Sequence, residues 1–194
     1  MAINTPSPAP ERQPQNLPLR IGISGCLLGA RVRYDGSDRY NAWLRGNWAS
    51  EILFIPFCPE TECGLGVPRE PMRLEKNAEN PCLRTLHTGI DHTHRLRQWS
   101  QAYIQQAQAT AWAGCLLKSR SPSCGVANVT VFLDDTHTAP GRGLFAQQLL
   151  LANPTLPVAE GDLLQDAAAV QQFYDRVVAY AQTQPAVQTD KNNP

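Results

Sequence analysis

The chain lacks any long hydrophobic run. None of its 194 residues falls in an apolar window long enough to span a bilayer. The opening MAINTPSPAPERQPQNLP has no basic flank followed by an apolar stretch, so neither a membrane span nor a secretion signal is expected. Charge of one sign is not in excess either: 17 basic residues balance 17 acidic ones. This argues against an extended basic nucleic-acid surface and against an acidic solvating tail. Any anionic partner must be met by local basic residues. Zinc-type spacing is missing too, because no cysteines form a C-x-x-C pair and none lies near a histidine at zinc-finger spacing. A cytoplasmic location follows by default, and stable nucleic-acid binding is not expected.

What is present suits one domain. A chain of this size that is 42% hydrophobic and 18% charged can bury a respectable core. Six cysteines would suggest a disulfide framework in a short secreted chain. Here the chain is longer and carries no secretion signal, so reduced thiols, available as ligands or nucleophiles, are the better reading.

Residues 1–18 are rich in Pro, Ser, Asn and Gln and read as a disordered leader. The domain occupies 19–184, and 185–194 are again polar and read as a disordered tail. LRIGISGC, from Leu19, is an apolar run that ends in small residues, as a buried strand opening into a loop does. Asp38 to Trp48 reads as a helix capped by Ser37 or Asp38. EILFIPF, residues 51–57, is continuously apolar and fits a strand covered on both faces. Residues 59–94 hold many of the Gly and Pro residues and read as a long functional loop region. A helix is expected over Thr93–Ala111, a strand in AGCLLK, a helix over Gly143–Leu151, a short strand in LPVAE and a helix over Gln165–Ala181. Alternating strand and helix signals predict an α/β fold, a Rossmann-like, mostly parallel sheet flanked by helices. In such sheets ligands gather beyond the carboxyl ends of the strands. Cys26, Cys58 and Cys124 all follow predicted strands, so three distant cysteines could converge on one edge.

Three segments carry the chemistry. In SGCLLGARVRYDG, residues 24–36, Gly25 and Gly29 allow close backbone approach around Cys26, with Arg31, Arg33 and Asp35 beside it. In CPETECGLGVPREPMRL, residues 58–74, Pro59 fixes the chain after Cys58 and puts the Glu60 carboxylate two residues from a soft ligand. In KSRSPSCG, residues 118–125, Lys118 and Arg120 surround Cys124 with positive charge, which favours a thiolate, and Ser119, Ser121 and Ser123 add hydroxyls.

SGCLLG with RYDG, CPE with GLGVPR, and KxxSPSCG, in that order, resemble the thiouracil desulfidase family from about residue 19 to 160. The resemblance implies a Rossmann-like domain and a 4Fe-4S cluster bound by three cysteines, with one iron free of protein ligands. The matching positions are Cys26, Cys58 and Cys124. It also implies Glu60 as the general acid-base group and Ser121 as a proton-handling or substrate-binding partner, with Ser119 and Ser123 close by. A four-cysteine site has no vacancy, whereas one missing ligand creates a Lewis-acid position suited to a soft thiocarbonyl sulfur. The expected reaction is removal of sulfur as sulfide from a thiolated nucleobase or nucleotide such as 4-thiouracil or 4-thio-UMP. Arg33, Asp35, Arg69, Lys118 and Ser123 are candidate substrate-binding residues, since converging cations would suit a nucleotide phosphate.

Blander readings apply residue by residue. A lone buried cysteine usually packs as a small hydrophobe, which is the reading kept for Cys82, Cys115 and Cys63, although Cys63 lies close to Cys58. Carboxylates and cations on loops usually face solvent or pair with each other. His87, His92 and His94 match no motif and are assigned no metal. Two other functions compete: a non-catalytic cluster-binding module for RNA or protein, and a metal-free cysteine hydrolase using Cys26 or Cys124, which lacks a convincing histidine base.

Overall fold

The structure is a computed structural model that describes residues 18–46, 48 and 51–184. Apart from Pro18, the expected leader lies outside the described residues, as does the expected tail. The chain runs through β1 (Leu19–Ser24), α1 (Ala42–Gly46), β2 (Ile52–Phe57), α2 (Pro59–Glu62), β3 (Met72–Glu75), β4 (Cys82–Thr85) and α3 (Thr93–Ala109). It continues through β5 (Trp112–Leu117), β6 (Val129–Phe132), β7 (Thr138–Gly141), α4 (Leu144–Ala152), β8 (Val158–Glu160) and α5 (Ala167–Thr183). Among the described residues no helix is long and apolar enough to cross a membrane.

β1, β2, β5 and β8 form a parallel sheet in the order β2-β1-β5-β8. Helices cover both of its faces, as expected of an α/β fold. Ile21 and Ile23 of β1 pack with Phe173 and Val177 of α5 on one side. Phe57, Cys115 and Leu117 pack with Ile104 of α3 and Phe145 of α4 on the other. Close approach is needed at Gly22, where a Cβ would overlap the Trp112 ring at 1.9 Å, so only glycine lets that indole lie across β1. The chain leaves β1 toward β2 and returns through α3 to β5 on the opposite side of β1. This reversal is a topological switch point, which opens a crevice beyond the carboxyl ends of these neighbouring strands.

A second sheet, ordered β4-β3-β6-β7, was not legible in the sequence. Two of its strands lie inside residues 59–94, which are therefore more than the expected loop region. β3 pairs antiparallel with β4 and parallel with β6, and β6 pairs antiparallel with β7. Leu74, Leu83, Val129 and Val131 pack here against Leu96 of α3 and Leu144 of α4.

Two further expectations change. β2 is an edge strand, and Leu53 is 42% exposed. Pro56 fits this position, because an edge strand tolerates a residue that has no N–H to donate. Helix α1 begins later than expected because Asp38 and Asn41 each spend a side-chain oxygen on the backbone N–H two residues on, Tyr40 at 3.0 Å and Trp43 at 3.1 Å. The first contact makes a local turn, and the second caps α1 from Asn41.

Candidate active site

Beyond the ends of β1, β2 and β5 lies a cavity of about 490 Å³. Cys26, Cys58 and Cys124 all line it. Cys26 sits in a 3-10 turn, Gly25–Leu28, that follows β1 directly. Cys58 caps the N-terminus of α2, where Glu62 accepts a 2.8 Å hydrogen bond from the Cys58 backbone N–H. Cys124 lies in the connection between β5 and β6.

The thiols act on one another electrostatically. Burial, and next the charge of Cys58, push the Cys26 thiol up to about 11, although Lys118 and Arg33 pull the other way. Burial likewise pushes Cys124 well above the ordinary thiol value, against a hydrogen bond with Ser24 and with reinforcement from Cys58, Cys26 and Glu60. The basic residues of the 118–124 segment therefore do not dominate Cys124 as its sequence setting suggested. Cys26 and Cys124, both held toward the protonated form by burial, would ionise once a soft cation lay beside them. The donor set contains no imidazole and suits iron-sulfur chemistry. Among the described residues no three His, Cys, Asp or Glu side chains close around a single metal ion.

Glu60 lies beside the thiols, nearly buried, on the first turn of α2. Its Oε2 accepts both Nε (2.8 Å) and Nη2 (2.6 Å) of Arg69. Arg69 also donates through Nη1 to the carbonyls of Val32 (3.0 Å) and Gly66 (3.1 Å). It thus spends its fork on holding Glu60 and two loops. Glu60 Oε1 accepts the Ser123 hydroxyl at 2.8 Å. Ser121 does a different job: its Oγ accepts the backbone N–H groups of Ser123 (3.2 Å) and Cys124 (3.0 Å), shaping the turn that carries the cysteine. Ser121 lines the cavity, whereas Ser123 stands behind Glu60.

Arg33, Arg39, Lys118 and Arg120 also line the cavity, where Glu60 is the sole carboxylate among the lining residues. Arg33 donates to Ser37 Oγ at 2.6 Å. Asp35 is off the cavity wall; its Oδ1 accepts the Ser37 N–H (3.0 Å) and hydroxyl (2.6 Å), and these two bonds hold its carboxyl below the usual range. Lys118 Nζ is anchored by the Ser119 carbonyl (2.8 Å) and Asp162 Oδ2 (2.9 Å). Sequence reading singled out neither Arg39 nor Asp162. Asp162 follows the end of β8, so the strand-end rule applied to LPVAE would have reached it. Cys63 donates to the Glu60 carbonyl at 3.2 Å, Cys115 is wholly buried in β5, and the three histidines lie off the cavity wall.

The fold and site define a class: an α/β protein with a thiol-lined, cation-rich cavity at the switch point of a parallel sheet. Residues 21–161 match the 2-thiouracil desulfurase family, and the chain belongs to that family. A solved structure of a [4Fe-4S]-dependent thiouracil desulfidase, TudS, matches with a TM-score of 0.62 at 28% identity, covering 79% of this chain and 98% of that one. No curated protein matches the chain. Family and structural neighbour together indicate thiouracil desulfidase function.

Proposed function

We propose that the chain removes sulfur as sulfide from a thiolated pyrimidine such as 4-thiouracil or 4-thio-UMP, with a 4Fe-4S cluster held by Cys26, Cys58 and Cys124. The observation that carries this reading is the convergence of three cysteines from separate strand ends, together with Glu60, on one cavity. When bound, such a cluster with one iron free of protein ligands would supply a soft Lewis acid for the thiocarbonyl sulfur.

The rest of the chemistry belongs to this chain's own residues. Arg69 and Ser123 hold the Glu60 carboxylate in one orientation, and a carboxylate oxygen with one partner keeps a further lone pair for a water. Glu60 takes a proton from that water as its oxygen adds to the ring carbon. Ser121, on the cavity wall, helps pass a proton toward the departing sulfur. Water enters and hydrogen sulfide leaves while the carbon keeps its oxidation state, so no electron donor is needed. Arg33, Arg39 and Lys118 would meet a phosphate if the substrate is a nucleotide. The reaction runs in the cytoplasm, where thiols stay reduced.

The test is an anaerobic iron and sulfide analysis with an absorption spectrum, followed by 4-thiouracil, 4-thio-UMP and 2-thiouracil in turn with a sulfide assay. About four irons per chain with sulfide release is the expected result. Cluster without release from any of the three would favour a binding module, and no iron would favour a thiol hydrolase. Serine at position 26, 58 or 124 should lower iron content, whereas Cys63→Ser and Cys82→Ser should not. Glu60→Gln should keep the iron and abolish turnover.

A further inference from the structure

We propose that the segment Glu160–Asp162, at the end of β8, is a positioning clamp for the loop that carries Cys124, with Asp162 as its principal residue. The inference rests on the reading of Cys124 as a ligand. Asp162 grips the start of the loop: its Oδ1 accepts the Ser119 N–H at 2.8 Å, and its Oδ2 accepts the Ser119 hydroxyl at 2.6 Å and Lys118 Nζ at 2.9 Å. Glu160 grips the far side, where its Oε1 accepts the N–H groups of Val126 (2.9 Å) and Ala127 (3.3 Å). Cys124 lies between these two grips.

The loop needs an external hold. Arg120, between the first grip and Cys124, has a φ of 53°, a left-handed conformation that an arginine keeps only where its surroundings impose it. The clamp is itself tied down, because Asn41 Nδ2 donates to the carbonyls of Gly161 (2.8 Å) and Leu164 (3.0 Å). Neither carboxylate lines the cavity, so both act through the loop and not on a substrate.

The experiment compares the wild-type chain with Asp162→Ala, Asp162→Asn, Glu160→Gln and Asp166→Ala. Asp166 spends its side chain on capping α5, accepting the Ala169 N–H at 2.8 Å, and its loss controls for general destabilisation. Three readouts are taken: iron capture by a ferrous chelator from anaerobic protein, the spectrum of the reduced cluster, and alkylation of Cys124 in metal-stripped protein, located by mass spectrometry. Asp162→Ala should release iron about tenfold faster, the scale seen for outer partners of metal ligands. Its spectrum should shift, and its Cys124 should alkylate faster. Asp162→Asn should fall between it and wild type, because the amide oxygen still accepts the Ser119 N–H. Glu160→Gln retains an acceptor and should stay close to wild type. Asp166→Ala should lower Tm while leaving all three readouts alone. Wild-type rates in Asp162→Ala, or equal acceleration in Asp166→Ala, would overturn the clamp. A wild-type chain that binds no iron would sink the cluster reading instead, and the alkylation rates would still decide the clamp.

Discussion

Ser123 donates its hydroxyl to Glu60 Oε1 at 2.8 Å across 63 residues of sequence, from a position with no solvent exposure. Two residues earlier, Ser121 points its oxygen at the backbone of the same loop. The two serines should therefore fail differently. Ser123→Ala leaves a buried carboxylate oxygen short of a partner, at a cost of about 1–3 kcal/mol, and should lower kcat while iron content holds. Ser121→Ala loosens the Cys124 turn and removes a hydroxyl from the cavity wall, so it should lower iron content and turnover together. Iron analysis alongside steady-state kinetics separates the two, and the opposite assignment would show that Ser123 serves the metal site.

Arg69 and Glu60 are 10% and 12% exposed at their side chains. Removing one partner of a pair this buried strands the other charge. Arg69→Met should lower unfolding stability by about 3–5 kcal/mol, the range for a broken buried pair. A loss below about 1 kcal/mol, the scale of an exposed pair, would show that solvent reaches Glu60 freely. Chemical denaturation of the metal-free protein measures it.

Gly143 packs against the peptide that joins Ser123 to Cys124. An added Cβ would lie 2.5 Å from the Ser123 carbonyl carbon and oxygen and 2.7 Å from the Cys124 nitrogen. These are backbone atoms, so the loop itself must move. Gly143→Ala should cost about 1–3 kcal/mol by overpacking and should reduce iron per chain as well. Normal iron content with an unchanged Tm would mean that the helix start yields instead.

Cys115 is wholly buried in β5, and burial pushes its thiol well above 9.0. The unfolded thiol gives up its proton near that ordinary value while the folded one keeps it. Stability from this group is therefore complete below pH 9 and falls as pH rises beyond it. The slope is about 1.4 kcal/mol per pH unit for one thiol. In metal-free protein, Cys115→Ala should flatten the decline between pH 9 and 10.5 by that amount, and parallel curves would refute the assignment.

The centre of the parallel sheet was legible because LRIGIS and WAGCLL are six-residue strands with runs of four and six buried residues that helices cover. The second sheet was not, because MRLE, CLRT, VTVF and TAPG are four-residue strands set among turns. β3 and β4 each bury one apolar side chain, β6 two and β7 none, too few for periodicity to register. Pro140 and Gly141 in β7 even read as breakers, which an edge strand tolerates. Within the site, the cysteines and Glu60 stood out through their short motifs. Nothing local marked Ser119 or Asp162 as partners, because they meet only when β8 is laid beside β5.

The first turn of α4 takes its backbone acceptors from the Cys124 loop. Leu144 N–H donates to the Pro122 carbonyl at 3.0 Å, and Phe145 and Ala146 donate to the Ser123 carbonyl at 3.0 and 3.3 Å. Phe145 in turn sits wholly buried beside Phe57, Trp99 and Tyr103. Whatever fixes the loop thereby also fixes a helix start and an aromatic cluster, and a thermodynamic linkage of this kind must run both ways. Occupancy at Cys124 would be felt in the aromatic interior, and loosening of that interior would weaken the hold on the occupant.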